Sequence, residues 1–142
     1  MIELLTKLIA TPSFSRDEGA TADIIEQVLR DAGADVERFG NNVVAWGVGA
    51  RQAVPPPAIL LNSHHDTVQP GAGWTHDPFV PVVEDGKIIG LGSNDAGGAL
   101  VMMLTAFLHF HKREDLPVQL CFAATAEEEV SGQNGMAMLS RD

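Results

Sequence analysis

Two short apolar runs, AILLN over 58–62 and PVQLCFAAT over 117–125, bracket an apolar helical stretch over 97–111. This pattern constrains the fold more than any other feature. A near-continuous apolar run of strand length reads as a strand buried on both faces, and such strands belong to parallel sheets covered by helices. The rest of the chain fits around it. Ile2, Leu5, Leu8 and Ile9 lie at helical spacing within 1–10, and Pro12 stops that helix. Ser15 with Glu18 has the form of a capping box opening a second helix over 16–32. Ala22, Ile25, Val28 and Leu29 make its buried stripe, and Gly33 ends it. Strands are expected over 36–39 and 43–48 around a Gly40-Asn41-Asn42 turn, then a proline-rich loop over 51–57. A hairpin is expected over 81–90 around Asp85-Gly86, and a last helix from about Gly135. Residues 63–80 show no periodicity, and structureless loops of that length are uncommon unless functional. Helices alternating with apolar strands predict an α/β fold with a mostly parallel central sheet flanked by helices.

Nineteen acidic against nine basic residues leave a formal charge of −10. Nucleic acid is therefore not the expected partner, because phosphate neutralisation needs a basic face. At 45% hydrophobic the chain is too apolar for disorder, yet no apolar run approaches the ~18 residues of a membrane span. MIELLTKLIA carries Glu3 and has no cleavage site after it, so it does not read as a signal peptide. A single cysteine, Cys121, leaves no internal disulfide and no cysteine zinc site, which fits a reducing compartment such as the cytoplasm.

Three polar clusters sit directly after predicted apolar strands: Ser63-His64-His65-Asp66, Gly92-Ser93-Asn94-Asp95 and Glu127-Glu128-Glu129. In open α/β sheets ligands bind beyond the carboxyl ends of strands, so the three could converge on one point. Their donors are nitrogen and oxygen, suited to zinc, cobalt or manganese. Each also has a plainer reading. The histidines could be a surface or core pair, Asp95 a helix cap, and the glutamates a solvated loop. Asp66 two residues after His64 favours a metal, since a carboxylate is the usual orienter of a metal-bound imidazole. Three adjacent like charges at a strand end also repel unless a cation is near. His76, His109 and His111 read as loop or structural residues, Trp74 and Phe79 as packing of the long loop, and Met102, Met103, Met136 and Met138 as core filler.

The segments LLNSHHDTV, GWTHDPF, GKIIGLGSNDAGGAL and CFAATAEEEVSG, in this order and spacing, resemble the M20 metallopeptidase family. Its members include acetylornithine deacetylases, succinyl-diaminopimelate desuccinylases and carboxypeptidases of the G type. The resemblance covers about residues 1–140. It implies that His64 ligates one metal, Asp95 bridges two and Glu129 ligates the second. By the same resemblance Asp66 holds the His64 ring, Glu128 is the general base, and His65 fills a variable position. Two divalent ions, zinc or cobalt, are the implied cofactors. An N-acyl amino acid is the implied substrate, with GWTHDPF and GLGSNDAGG leaning towards the acetylornithine deacetylase branch and arginine biosynthesis. A dipeptidase or carboxypeptidase is the alternative within the family, and a non-catalytic α/β binding module the alternative outside it. A cis peptide after Asp95 is also implied.

Departures accompany the match. Glu127 stands where the family usually has Asp, and Gly97 where it commonly has Lys. Two further ligands, a carboxylate and a late histidine, and an inserted dimerisation domain have no counterpart within residues 1–142. The chain is therefore expected to be the N-terminal portion of a truncated zinc-peptidase-like catalytic domain. As such it is expected to hold metal weakly or not at all, to be inactive alone, and to expose apolar surface that pairs with another copy. The intact protein is expected to be a homodimer.

Overall fold

The computed structural model describes residues 1–48 and 56–140. In chain order it holds α1 (Ile2–Ile9), α2 (Gly19–Asp31), β1 (Asp35–Phe39), β2 (Asn42–Trp46), β3 (Ala58–His64), β4 (Val82–Glu84), β5 (Lys87–Ile89), α3 (Gly98–Phe110), β6 (Gln119–Thr125) and α4 (Met136–Leu139). Most of the proline-rich loop expected over 51–57 lies outside the described residues, as do residues 141–142.

Four strands form one sheet in the order β1-β2-β6-β3. β3 and β6 are parallel, in register from Ala58 opposite Gln119 to His64 opposite Thr125. The other two pairings, β1 with β2 and β2 with β6, are antiparallel. The α/β class holds, but the sheet is mixed, and the expected parallel character is confined to the β3-α3-β6 crossover. The cause is the turn at Gly40-Asn41, with φ +60 at Gly40. Two residues can join only antiparallel strands, so β2 folds back along β1 and reaches β6 from the other side. β4 and β5 form a separate hairpin, with positive φ at both Asp85 and Gly86 as its two-residue turn requires.

The main core lies on one face of the sheet. Leu5 and Leu8 of α1, Ile25 and Leu29 of α2, and Leu100, Leu104 and Phe107 of α3 pack on Val43, Ala45, Phe122 and Ala124. Full burial of each large apolar side chain contributes about 1.5–3 kcal/mol. The opposite face carries a smaller cluster, where Trp46 and Leu139 cover Val44, Cys121 and Ala123.

Burial departs from expectation where the sheet ends. Ile59 and Leu60 are 46% and 44% exposed, because β3 is the outer strand among the described residues rather than a strand covered on both faces. α3 packs one stripe and leaves Met102 70% exposed, so it is not buried on most of its surface. Met136 and Trp74 are likewise exposed rather than packed. α2 begins at Gly19, three residues later than expected. Arg16 has φ +80, which no helical turn admits, and Ser15 is committed to a partner elsewhere in the chain. Among the described residues no helix is long and apolar enough to cross a membrane.

Candidate metal centre

β3 runs two residues beyond its apolar stretch, so His64 is the last residue of the strand. Its neighbour across the parallel pair is Thr125, the last residue of β6. Parallel register thus brings the His64-Asp66 segment and the Glu127-Glu129 segment to one end of the sheet. Asp95 arrives from the irregular turn over Ser93–Gly97 that precedes α3, and its peptide bond to Ala96 is cis.

His64 is 9% exposed and is held at both ring nitrogens. Nδ1 lies 3.1 Å from the Asp66 carbonyl oxygen and 3.3 Å from Asp66 Oδ1. Nε2 lies 3.1 Å from Asp95 Oδ1 and 3.7 Å from Glu128 Oε2. The hydrogen bond to Asp66 outweighs the opposing effect of burial, and with help from Asp95 raises the His64 pKa to about 9. The imidazolium therefore occupies the centre of an acidic cluster much as a cation would.

Asp66 is fully buried. Burial opposes its charge. It is overcome by hydrogen bonds from His64, from Ser15 Oγ at 2.7 Å, and from the backbone N–H groups of Glu128 and Glu129 at 3.1 and 3.2 Å. Together these hold its pKa at about 2. The Ser15 hydroxyl bonds Asp66 rather than the start of α2, and Glu18 makes no side-chain bond to that helix, so the expected capping box does not form.

His64, Asp95 and Glu129 each place one donor atom within 4.8 Å of the others. Burial, followed by the charge of Asp95, pushes the Glu129 carboxyl above its ordinary range. One imidazole nitrogen and two carboxylates, one of them pressed towards its neutral form by another, make a donor set that a divalent cation fits. Asp95 and Glu128 have side chains 75% and 60% exposed, open to an incoming molecule. All five residues singled out in the sequence, His64, Asp66, Asp95, Glu128 and Glu129, lie in this one region. His65 does not join them. Its ring turns inward to Thr21 Oγ1 at 2.9 Å and the Asn41 carbonyl at 3.0 Å, and burial lowers its pKa.

The sequence reading missed the residues beneath. Glu18 and Asn42 are fully buried and bond the backbone of Glu127 and Ala126. Glu127 is buried and accepts from the Asn134 side chain at 2.8 Å. The Ser15–Glu18 spacing was the available signal, and it reads equally well as a local cap.

A mixed α/β sheet whose parallel strand ends, with the turn before α3, gather one imidazole and four carboxylates has the architecture of a metallohydrolase. The chain belongs to peptidase family M20/M25/M40, whose family model matches residues 60–141. It is 34% identical over 146 aligned positions to the succinyl-diaminopimelate desuccinylase of Methylobacterium nodulans, with 97% of this chain and 37% of that protein covered. The chain thus spans little more than a third of that relative. A solved M20-family metallo-carboxypeptidase from Sulfolobus solfataricus is 25% identical with a TM-score of 0.72, covering 91% of this chain and 31% of that one. A dinuclear metal-binding M20 peptidase from Bacillus subtilis shares the fold at 22% identity and a TM-score of 0.68, covering 97% of this chain and 37% of that one.

Proposed function

We propose that residues 1–142 are the N-terminal portion of the catalytic domain of a metal-dependent amidohydrolase that removes an acyl group from an N-acyl amino acid. The observation that carries this reading is the convergence of His64, Asp95 and Glu129 donor atoms within 4.8 Å. His64, Asp95 and Glu129 would hold divalent metal, zinc or cobalt, together with ligands from outside these residues. The dinuclear Bacillus relative supports two ions. A divalent ion there supplies polarisation of an amide carbonyl and a lowered pKa for water.

Asp66 keeps the proton of His64 on Nδ1 and so leaves Nε2 free as a ligand. Glu128 is the general base. It stands within 3.7 Å of His64 Nε2 yet is mostly solvent-facing, so it accepts a proton from an attacking water and passes it to the leaving amine. The acyl group is read as succinyl ahead of acetyl. The motifs alone lean towards acetylornithine, but the Methylobacterium relative carries the desuccinylase name, which points to diaminopimelate and lysine formation rather than arginine. The Sulfolobus carboxypeptidase supports peptide hydrolysis as the second reading. The intact protein is read as a cytoplasmic homodimer.

The test uses the full-length polypeptide with Zn2+ or Co2+ and, separately, N-succinyl-diaminopimelate, N-acetylornithine and dipeptides. The succinyl substrate is expected to be hydrolysed fastest, and Glu128→Gln to stop turnover while metal content is unchanged. Full activity in that variant would overturn the base assignment, and preference for dipeptides would overturn the substrate class.

A further inference from the structure

We infer that Glu18 is a positioning residue for the paired glutamates: its buried carboxylate anchors the backbone of Glu127, so that Glu128 and Glu129 face His64. The inference rests on the reading of that pair as base and ligand. Just after β6, four successive backbone N–H groups each donate to a side-chain oxygen. Ala126 donates to Asn42 Oδ1 at 3.0 Å, Glu127 to Glu18 Oε1 at 3.1 Å, Glu128 to Asp66 Oδ1 at 3.1 Å and Glu129 to Asp66 Oδ2 at 3.2 Å. The segment is thus held by buried side chains from three distant parts of the chain, in place of a strand ladder.

Among these anchors Glu18 sits at a position that secondary structure does not explain. It stands at the N-cap of α2, where its carbonyl accepts from Ala22 N in the ordinary way, but its side chain bonds no helix N–H. Besides Glu127 it accepts from Arg16 N at 2.6 Å and Asn41 Nδ2 at 2.7 Å. Three uncharged N–H donors therefore converge on two fully buried oxygens. A buried carboxylate with no cation paired to it among the described residues is a costly way to begin a helix. What it secures is one point where the start of α2, the β1–β2 turn and the glutamate segment meet. Glu127 itself has φ +55, and its carbonyl and carboxylate are taken by Gly132 N and by Asn134. With Glu127 fixed, the next two residues have little freedom to swing their carboxylates away from His64.

The test compares the 142-residue chain with Glu18→Ala, Asn41→Asp, the pair Glu18→Gln with Asn41→Asp, and Leu29→Ala as a core-destabilised control. Two quantities are read: hydrogen exchange at the amides of residues 127–129, and the affinity for Co2+. Glu18→Ala is expected to speed exchange and weaken Co2+ binding by about tenfold each, as loss of one buried acceptor implies. Leu29→Ala is expected to lower the melting temperature while leaving both quantities near wild type. In Asn41→Asp two carboxylates face each other, and adding Glu18→Gln restores a donor there, while Oε1 keeps its backbone donors, so the pair is expected to recover both quantities. If Glu18→Ala does not fold, the contrast between Asn41→Asp and the pair decides the matter. Equal behaviour of Glu18→Ala and Leu29→Ala, or no recovery in the pair, would overturn the inference. If the wild-type chain binds no Co2+, the exchange rates alone decide whether Glu18 positions the segment.

Discussion

Replacing Asp66 by Asn tests the electrostatic heart of the site without changing its shape. One acceptor oxygen becomes an NH2 group. Oδ1 serves Glu128 N and faces His64 Nδ1, while Oδ2 serves Ser15 Oγ and Glu129 N. The Ser15 hydroxyl can rotate to accept from the new NH2, but a backbone N–H cannot, so either orientation leaves one buried N–H facing a donor. That loss costs about 1–3 kcal/mol. The charge adds to it. Asp66 is held down from 3.8 to about 2, and His64 is raised from 6.5 to about 9. Their attraction is shared and counts once, which makes it about 2–3 kcal/mol. The expected destabilisation is about 3–5 kcal/mol, the range for a buried pair that loses one partner. The pH dependence has a definite sign. The Asp66 contribution is present above 3.8 and lost as pH falls towards 2. The His64 contribution is complete below 6.5 and lost as pH rises through 9. The difference between wild type and variant should therefore peak between pH 3.8 and 6.5 and shrink on both sides. Urea unfolding of the chelator-treated chain across this pH range, with the His64 ring followed by NMR, measures both effects. A loss below about 1 kcal/mol near pH 5, or a His64 ring that still titrates near 9 in the variant, would refute the reasoning.

Three further outcomes are expected. Zn2+ binding displaces the His64 proton, so calorimetry in buffers of different ionisation enthalpy should show about one proton released per ion at pH 7. Affinity should then climb as pH approaches 9, and His64→Ala should abolish the effect. A Cβ at Gly132 would overlap the Glu127 carboxylate, so Gly132→Ala must displace Glu127 from Asn134. It should lower stability by about 1–3 kcal/mol in thermal melts. Leu104→Ala opens a cavity under a fully buried position of α3 and should cost about 2–5 kcal/mol in urea unfolding, with the His64 pKa unchanged.

The sequence carried the elements and the identity of the chemistry-bearing side chains. Both are local properties: apolar period marks β3, α3 and β6, turn residues mark the hairpins, and the polar clusters stand next to the strands that deliver them. Order and spacing of four motifs sufficed for the family. Three things were not legible. Whether a strand pairs parallel or antiparallel depends on which edge it reaches, so the mixed sheet followed from a two-residue turn at Gly40-Asn41 and not from hydrophobicity. Whether an apolar residue is covered depends on what packs over it, so Ile59, Leu60 and Met102 look like core in sequence and stand exposed. Ser15 and Glu18 have the spacing of a local cap, yet they bond Asp66 and Glu127, 51 and 109 residues away. A polar side chain states only what it can donate or accept. Its partner is chosen by which distant backbone the fold brings within 3 Å, and that choice belongs to the tertiary structure alone.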